Sequence, residues 1–338
     1  MAIWGRPSSP TANGGDACIS APEADYRLWH YRHWIRNSHL DGFYFDNTYP
    51  TLDGLGSGYD LDLPDRPELH GKRQPGYALR GQRDFFKRLR TVFHEEGVEP
   101  VIWLHATDAF VIPAFAFADV LMDGEHFPGL TTDRPWSSEK WPVYPPHLRT
   151  LSGARKWGLS VYYLPMNRNF TTKDEDLRHQ ALRNLNGYYA LFDCLTEVRW
   201  PVFGLDLDDG AEFHPYWGDA VARGVECREE GVEVSAWTQA GRLHLLVFNF
   251  GAQSHLPARL QIHPEAFGLA GRDWVVRDSE PDAPAFSQTM WERKGVKDYN
   301  AKYRGEAIGF QMRDGRVDVA VPIFPRNYRV MVVEPVAE

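Results

Sequence analysis

The chain has 338 residues, with 37 Lys and Arg against 46 Asp and Glu, giving a net charge of −9. That balance removes any electrostatic case for a nucleic-acid partner. No apolar run approaches the roughly 20 residues of a membrane span, so no membrane partner is expected. The length suits one large domain or two ordinary ones. Aromatic residues make up 14% of the chain, many of them among Pro and Gly in loops. Such rings stack against sugars or anchor the loops themselves. Cys18, Cys194 and Cys227 are widely separated and odd in number, which fits neither a disulfide framework nor a zinc site. The opening Met1-Ala2-Ile3-Trp4-Gly5 lacks the apolar core of a signal peptide.

Residues 1–22 are rich in Pro, Gly, Ser and Ala and read as loop. A helical run opens at Pro22 and Glu23, with Tyr26, Trp29, Trp34 and Ile35 expected on one face. Next comes Asp41-Gly42-Phe43-Tyr44-Phe45-Asp46-Asn47-Thr48-Tyr49-Pro50. It opens on a turn-like Asp-Gly, runs through three aromatics that favour a strand, and stops on Asp, Asn and Pro. A polar loop over 51–75 follows, of a length that is usually functional. Leu79, Phe86, Leu89 and Phe93 mark a helix over 77–96, stopped by Gly97.

Short apolar strands are then expected over 100–105, ending in His105 and Asp108, and over 118–125, ending in Asp123 and Glu125. A helix is expected near 147–157 and a strand over 159–165. A long helix over 174–195 and a strand over 202–209 carrying Asp206, Asp208 and Asp209 come next. Alternating strands and helices argue for a parallel α/β sheet. Strands tipped with acids favour a barrel over a doubly wound sheet. No glycine-rich phosphate fingerprint follows any strand, which leaves dinucleotide and P-loop readings poor. About five of the eight strand–helix units of a (β/α)8 barrel are visible. From Gly231 the texture changes to short strand-like runs with turn residues between them, which reads as an antiparallel β-sandwich of roughly 100 residues. The expected division is therefore 1–228 for the barrel part and 229–338 for the sandwich; 280–305 fits neither pattern.

The strand ends supply the candidate chemistry. Tyr44 and Asp46 share one face of the first strand, and Trp103 and His105 share one face of the next. Leu121, Asp123 and Glu125 share a face if the third strand runs that far. Paired carboxylates are what glycoside hydrolysis needs, one to protonate the leaving oxygen and one as nucleophile or base. Asp46, Asp123 and Glu125 are the catalytic candidates. Tyr44, Asn47, His105, Asp108, Asp206 and Asp208 are the candidates for substrate contact. Each also has a plain structural reading: Asp123-Gly124 is a common turn, His105 could be a hydrogen-bonded structural histidine, and the acids of 206–209 could be a solvated loop. No His and Asp spacing marks a metal site, and no cofactor is expected. A Gly-x-Ser-x-Gly elbow for a serine nucleophile is missing.

The stretches DGFYFDNTYP (41–50), GYALRGQRDFFKRL (76–89), VIWLHATDAFVIPAFAFADVLMDGE (101–125) and VPIFPRNYRVMVVEP (321–335) carry a resemblance in their order and spacing. Together they resemble proteins related to glycoside hydrolase family 123, specifically the group that shares that family's barrel region. The resemblance covers most of residues 16–335. It implies a (β/α)8 barrel before a C-terminal β-sandwich, and a carbohydrate substrate. In the characterised family an Asp orients the substrate's 2-acetamido group beside a Glu that acts as general acid. Here the neighbour of Asp46 is Asn47, which cannot donate a proton in that way, so the acid is expected from Glu125 or Asp123. The resemblance also implies that Asp41 begins about the fourth barrel strand. The chain is then expected to be the C-terminal part of a longer protein, whose leader could carry an export signal. The sequence leads to a glycoside hydrolase acting on a glycan or glycoconjugate. The alternatives are a non-catalytic carbohydrate-binding relative and, more weakly, an acid-lined metal-dependent hydrolase. The sugar, the linkage and the oligomeric state stay open.

Overall fold

A computed structural model describes residues 21–46, 48, 52–53, 76–77, 79–106, 111–124, 145–155, 157–164, 175–196, 205, 207–208, 210–251, 253–269, 273–279, 307–313 and 315–336. The chain divides into two compact units, one of residues 1–126 and 157–162, the other of 127–156 and 163–338.

The first unit opens with α1 (Ala21–Ser38) and β1 (Gly42–Phe45), followed by a short antiparallel pair, β2 (Leu52–Asp53) and β3 (Gly76–Tyr77). Then come α2 (Leu79–Glu95), β4 (Val101–His105), α3 (Ile112–Phe115), β5 (Val120–Asp123) and, after the excursion through the second unit, β6 (Ser160–Tyr163). The sheet order β1-β4-β5-β6 follows the order in the chain without reversal. β1 and β4 are parallel, as are β4 and β5. A parallel sheet wound in one direction, with helices between its strands, is a section of a (β/α) barrel rather than a doubly wound sheet, which reverses at a switch point.

One face of this sheet is packed by helices. Phe45 is fully buried against Phe85 and Phe86 of α2, with ring centroids at 6.1 and 5.2 Å. Phe43 lies 4.8 Å from Tyr31 and 5.6 Å from Phe93. The buried side of α1 is Ala24, Leu28, Tyr31 and Ile35, whose 4-3-4 spacing is the period of a helix face. Tyr26 and Trp29, expected on the packed face, are instead 62% and 64% exposed, because they fall off that stripe. Arg36 and Arg32 of α1 pair with Glu96 at 2.6 and 3.1 Å, and Arg88 of α2 pairs with Asp25 at 2.5 Å. These exposed pairs fix the two helices side by side more than they stabilise them.

Asp41-Gly42 reads as a turn in the sequence, but Gly42 is paired within β1 opposite Val101. A Cβ there would lie 2.2 Å from the Val101 carbonyl oxygen. The glycine is needed for close approach of two backbones. Asp119 fastens the other side of β4. Its Oδ2 accepts from the Ile102 backbone N–H at 2.8 Å and its Oδ1 takes the Arg90 guanidinium of α2.

The second unit holds α4 (Pro145–His147), α5 (Glu175–Ala190), β7 (Leu195–Thr196), β8 (Glu212–His214), α6 (Asp219–Gly224) and β9 (Val225–Cys227). It continues through β10 (Val232–Gln239), β11 (Arg242–Asn249), β12 (His255–Ile262), β13 (Trp274–Asp278), β14 (Gly309–Arg313), β15 (Arg316–Ile323) and β16 (Tyr328–Pro335). The strands from β8 onward form two sheets, β13-β16-β11-β10-β8 and β14-β15-β12-β9, with antiparallel pairing. Val234, Leu245, Leu260, Val319 and Met331 meet in the core between them. On the other side of β11, Phe248 lies 6.0 Å from Tyr188 of α5. Burial on both faces explains why 245–248 is an unbroken apolar run rather than an alternating one. The fold is thus an incomplete barrel section followed by an antiparallel β-sandwich.

The helix expected over 147–157 is instead one short turn, α4, running into wider and tighter turns up to Arg155. Ala154 sits at φ 59°, which a continuous α-helix does not allow. In the stretch 202–209, the described residues Leu205, Leu207 and Asp208 lie outside any strand.

Candidate functional site

The two faces of the parallel sheet differ in chemistry, and strand register assigns each residue to one of them. In β1 and β4 Tyr44 stands opposite Trp103 and Phe45 opposite Leu104; in β4 and β5 Leu104 stands opposite Leu121 and His105 opposite Met122. Side chains alternate along a strand, so Phe43, Phe45, Ile102, Leu104 and Leu121 share the helix-packed face. Tyr44, Trp103, His105 and Met122 share the other. Asp46 follows β1 by one residue and continues that second set.

On this second face, at the carboxyl ends of β1 and β4, Asp46, His105 and Tyr44 meet. His105 Nδ1 lies 2.7 Å from Asp46 Oδ1, and the His105 side chain is 3% exposed against 29% for Asp46. With a carboxylate as its partner, Nδ1 is the nitrogen that carries the proton and donates it. The Tyr44 hydroxyl lies 3.0 Å from His105 Nδ1, donates weakly to Asp46 Oδ1 at 3.4 Å and reaches Met122 Sδ at 3.8 Å. One carboxylate oxygen therefore accepts from an imidazole and a phenol. Such an oxygen is set up as an acceptor and charge centre, suited to a nucleophile or an orienting group rather than to a proton donor.

The backbone carrying this pair is clamped from behind. Thr48, 1% exposed, donates to the His105 carbonyl twice, from Oγ1 at 2.8 Å and from its backbone N–H at 3.0 Å. The Thr48 carbonyl in turn accepts from Gln82 Nε2 of α2 at 2.6 Å. Thr48 and Gln82 were not among the expected site residues. Gln82 had a faint sequence signal, being a polar residue within the apolar stripe of α2 that also holds Phe85, Phe86 and Leu89. Thr48 had none.

The remaining candidates fall elsewhere. Asp123 is 5% exposed, and its Oδ1 accepts from the Gly124 backbone N–H at 2.7 Å. By alternation Asp123 belongs to the face of Leu104 and Leu121, opposite to that of Asp46 and His105. Asp208 lies in the second unit, where its Oδ1 accepts from the Gly210 N–H at 2.8 Å and closes a turn. Its backbone N–H donates to Gln239 Oε1 at 2.9 Å. Asn47, Asp108, Glu125, Asp206 and Asp209 lie outside the described residues. Among the described residues, no three His, Cys, Asp or Glu side chains group as a metal site would need. No described helix is long and apolar enough to cross a membrane.

No protein-family model matches the chain, and neither does any curated protein sequence. Among solved structures, the chain is similar to an Anoxybacillus α-amylase at 13% identity and a TM-score of 0.48, covering 96% of this chain and 65% of that one. A Geobacillus thermoleovorans α-amylase complexed with acarbose gives 9% identity and 0.46, covering 95% and 66%. A maltogenic α-amylase from Thermotoga neapolitana gives 11% and 0.43, covering 97% and 71%. With every one of these TM-scores below 0.5, the site's chemistry has to be read from its own residues.

Proposed function

We propose that this chain carries the catalytic end of a glycoside hydrolase, with Asp46 as the nucleophile or the substrate-orienting carboxylate. The observation that supports it is the Asp46–His105 contact of 2.7 Å at the carboxyl ends of parallel strands, on the sheet face opposite the one that packs against α1 and α2. That is where barrel enzymes assemble their sites. His105 and Tyr44 fix the carboxylate's position, and a second acid provides the proton for the leaving group. Of the two candidates, Asp123 ends β5 and belongs to the opposite face; Glu125, outside the described residues, is the other candidate and is proposed as general acid/base. The resemblance of 41–50, 101–125 and 321–335 to proteins related to glycoside hydrolase family 123 supports the same reaction class and a carbohydrate substrate.

The test is turnover of aryl glycosides by the purified protein and by its Asp46→Asn and Glu125→Gln variants. Loss of turnover in both, with folding retained, is the expected result. Wild-type rates in Asp46→Asn would refute the assignment. Activity of Glu125→Gln restored by azide on substrates with good leaving groups would fix Glu125 as the acid/base.

A second reading is a non-catalytic carbohydrate-binding relative. It is favoured by the placement of Asp123, which leaves Asp46 as the one described strand-end acid on the face of His105 in the first unit. Glycan binding without product release would select it.

A further inference from the structure

The side chains of α1 sort by direction. Ala24, Leu28, Tyr31 and Ile35 go into the core. Asp25, Arg32 and Arg36 lean toward α2, where they pair with Arg88, Glu95 and Glu96, and Arg27 pairs with Glu23 within the helix. The remaining stripe is Tyr26, Trp29, His30, His33, Trp34 and Asn37, at the i, i+3, i+4 spacing of one helix face. The outward stripe of a surface helix is ordinarily charged or polar. This one carries five rings and an amide, with no Asp, Glu, Lys or Arg.

These rings are open to solvent and held in place. Tyr26 is 62% exposed, Trp29 64% and Trp34 37%. His30 stands edge-on to both Tyr26 and Trp29, with centroids 4.6 and 4.7 Å away at 77° and 81°. Trp29 and His33 are nearly parallel, 6.2 Å apart at 14°. Asn37 Nδ2 lies 3.0 Å from His33 Nδ1 and donates to the His33 carbonyl at 2.7 Å. Trp34 leans on the core through Tyr31 at 5.5 Å. Rings fixed in advance lose little rotamer freedom when a ligand settles on them. From residue 26 to residue 34 the stripe rises about 12 Å, which is longer than one pyranose ring. Each ring has an apolar face and a polar edge, whether phenol O–H, indole N–H or imidazole nitrogen. A pyranose matches this, with C–H bonds on one face and hydroxyls around the rim. Stable contacts between proteins resemble a core and interlock aliphatic as well as aromatic side chains. The stripe holds no Leu, Ile, Val or Met, and without a Lys or Arg it offers little to an anionic polymer.

We infer that the outward stripe of α1, centred on Tyr26 and Trp29, binds a neutral polysaccharide by stacking its sugar rings on the exposed aromatic faces. α1 packs through Tyr31 on Phe43, on the sheet face opposite Asp46 and His105, so this surface lies away from the reacting carboxylate. It holds the polymer and takes no part in bond breaking. The inference rests on the carbohydrate reading of the chain and adds to it a second, anchoring site.

The test separates binding from turnover. The full chain carrying Asp46→Asn is run in native gels cast with xyloglucan, galactomannan, soluble starch or hydroxyethyl cellulose, one polymer per gel. At least one polymer is expected to retard it. Adding Trp29→Ala is expected to weaken that binding roughly three- to tenfold, the scale of one ring contact. Removing Tyr26 as well, by Tyr26→Ala, is expected to abolish it, whereas Trp29→Tyr keeps a ring and most of the retardation. Both side chains are mostly exposed, so the fold is expected to survive, and melting temperatures check this. If no polymer retards the chain, or if the double alanine variant is retarded as strongly as its parent, the inference is overturned. It is also overturned if the chain sediments as a dimer that Trp29→Ala turns into a monomer and no polymer retards it, since the stripe then joins two copies. Failure of the hydrolase reading shows differently: the wild-type chain is retarded through Trp29 but releases no nitrophenol from aryl glycosides.

Discussion

His105 Nδ1 lies 2.7 Å from Asp46 Oδ1 although the two residues are 59 positions apart in the chain. Two parallel strands in fixed register bring them together, and the imidazole is nearly out of solvent while the carboxylate is partly in it. An arrangement of this kind positions the acid. His105→Ala is expected to lower kcat on aryl glycosides by about ten- to a hundredfold, the scale of a reacting group displaced by about 1 Å. KM is expected to change little. His105→Asn, which returns an N–H near the Nδ1 position, is expected to recover part of the loss. Equal rates for the alanine and asparagine variants would show that His105 acts only as filler.

Gln82 and Thr48 support that pair from the helix side. Gln82→Met keeps the volume of the side chain but removes the donor to the Thr48 carbonyl, leaving a buried acceptor unmade at a cost of about 1–3 kcal/mol. Thr48→Val removes the Oγ1 donor to the His105 carbonyl, while the parallel backbone N–H bond stays, so its cost is about 1 kcal/mol. Urea unfolding midpoints measure both, and the ordering Gln82→Met worse than Thr48→Val is the checkable outcome.

How much of this is legible in the sequence differs from element to element. The 3.6 period of α2 and the apolar run before His105 are plain, because each is shaped by a single burying face. The acid after β1 is visible because Asp ends the run of aromatics abruptly, and a strand former followed by a strand breaker marks a strand end. Strand parity at β5 is not legible. Asp123 reads as one more acid at a strand end, and only the register of Met122 with His105 shows that Asp123 is on the other face. The packed face of α1 differs from the expected one because bulky aromatics suggest a core stripe, whereas the periodic set is Ala24, Leu28, Tyr31 and Ile35. β14 leaves little trace in the sequence, since Phe310 is 39% exposed and, among the described residues, the strand pairs with β15 along one side. Edge strands carry weak patterns because only one neighbour constrains them.

Asp193 in the second unit makes a pH prediction. Burial raises its carboxyl above 3.8, and the Arg155 guanidinium at 3.3 Å and the Trp237 indole N–H at 3.3 Å only partly oppose this. A native-state pKa above the unfolded one means that the folded chain binds the proton more tightly. The contribution is then fully present below about 3.8, the unfolded value, and is lost as pH climbs through the raised native value. Asp193→Asn has no proton to lose, and asparagine tolerates the φ of 57° at this position. The variant is expected to show a flatter dependence of the urea midpoint on pH from about 4 upward. A wild-type slope that survives the substitution would assign the effect to another group.

Arg183 carries the packing of α5 on β16. It is 1% exposed, donates to Asn327 Oδ1 at 3.0 Å, the Tyr328 hydroxyl at 3.1 Å and the Tyr328 carbonyl at 2.9 Å, and lies 4.0 Å from the Tyr328 ring centroid. Arg183→Met fills similar volume but abandons three acceptors and the cation–π contact, so a loss of about 3 kcal/mol or more is expected. Tyr328→Phe removes one acceptor and keeps the ring, for about 1 kcal/mol. If the two substitutions cost the same, the guanidinium's bonds to Asn327 and the Tyr328 carbonyl contribute nothing net.

Cys227 is expected to be a slow thiol. Burial pushes it up to about 11, and the neighbouring Glu229 carboxylate, 3.5 Å from Sγ, adds to this, while the Glu229 backbone carbonyl is 3.9 Å away. The thiolate is the nucleophile, so at pH 8 iodoacetamide is expected to label Cys227 about two orders of magnitude more slowly than a free cysteine. Peptide mass spectrometry follows the rate, which is expected to climb about tenfold per pH unit between roughly 8 and 10. Because burial is the larger cause and the Glu229 charge the smaller, Glu229→Gln is expected to speed labelling only a few-fold. A jump to the free-cysteine rate in that variant would reverse the order of the two causes.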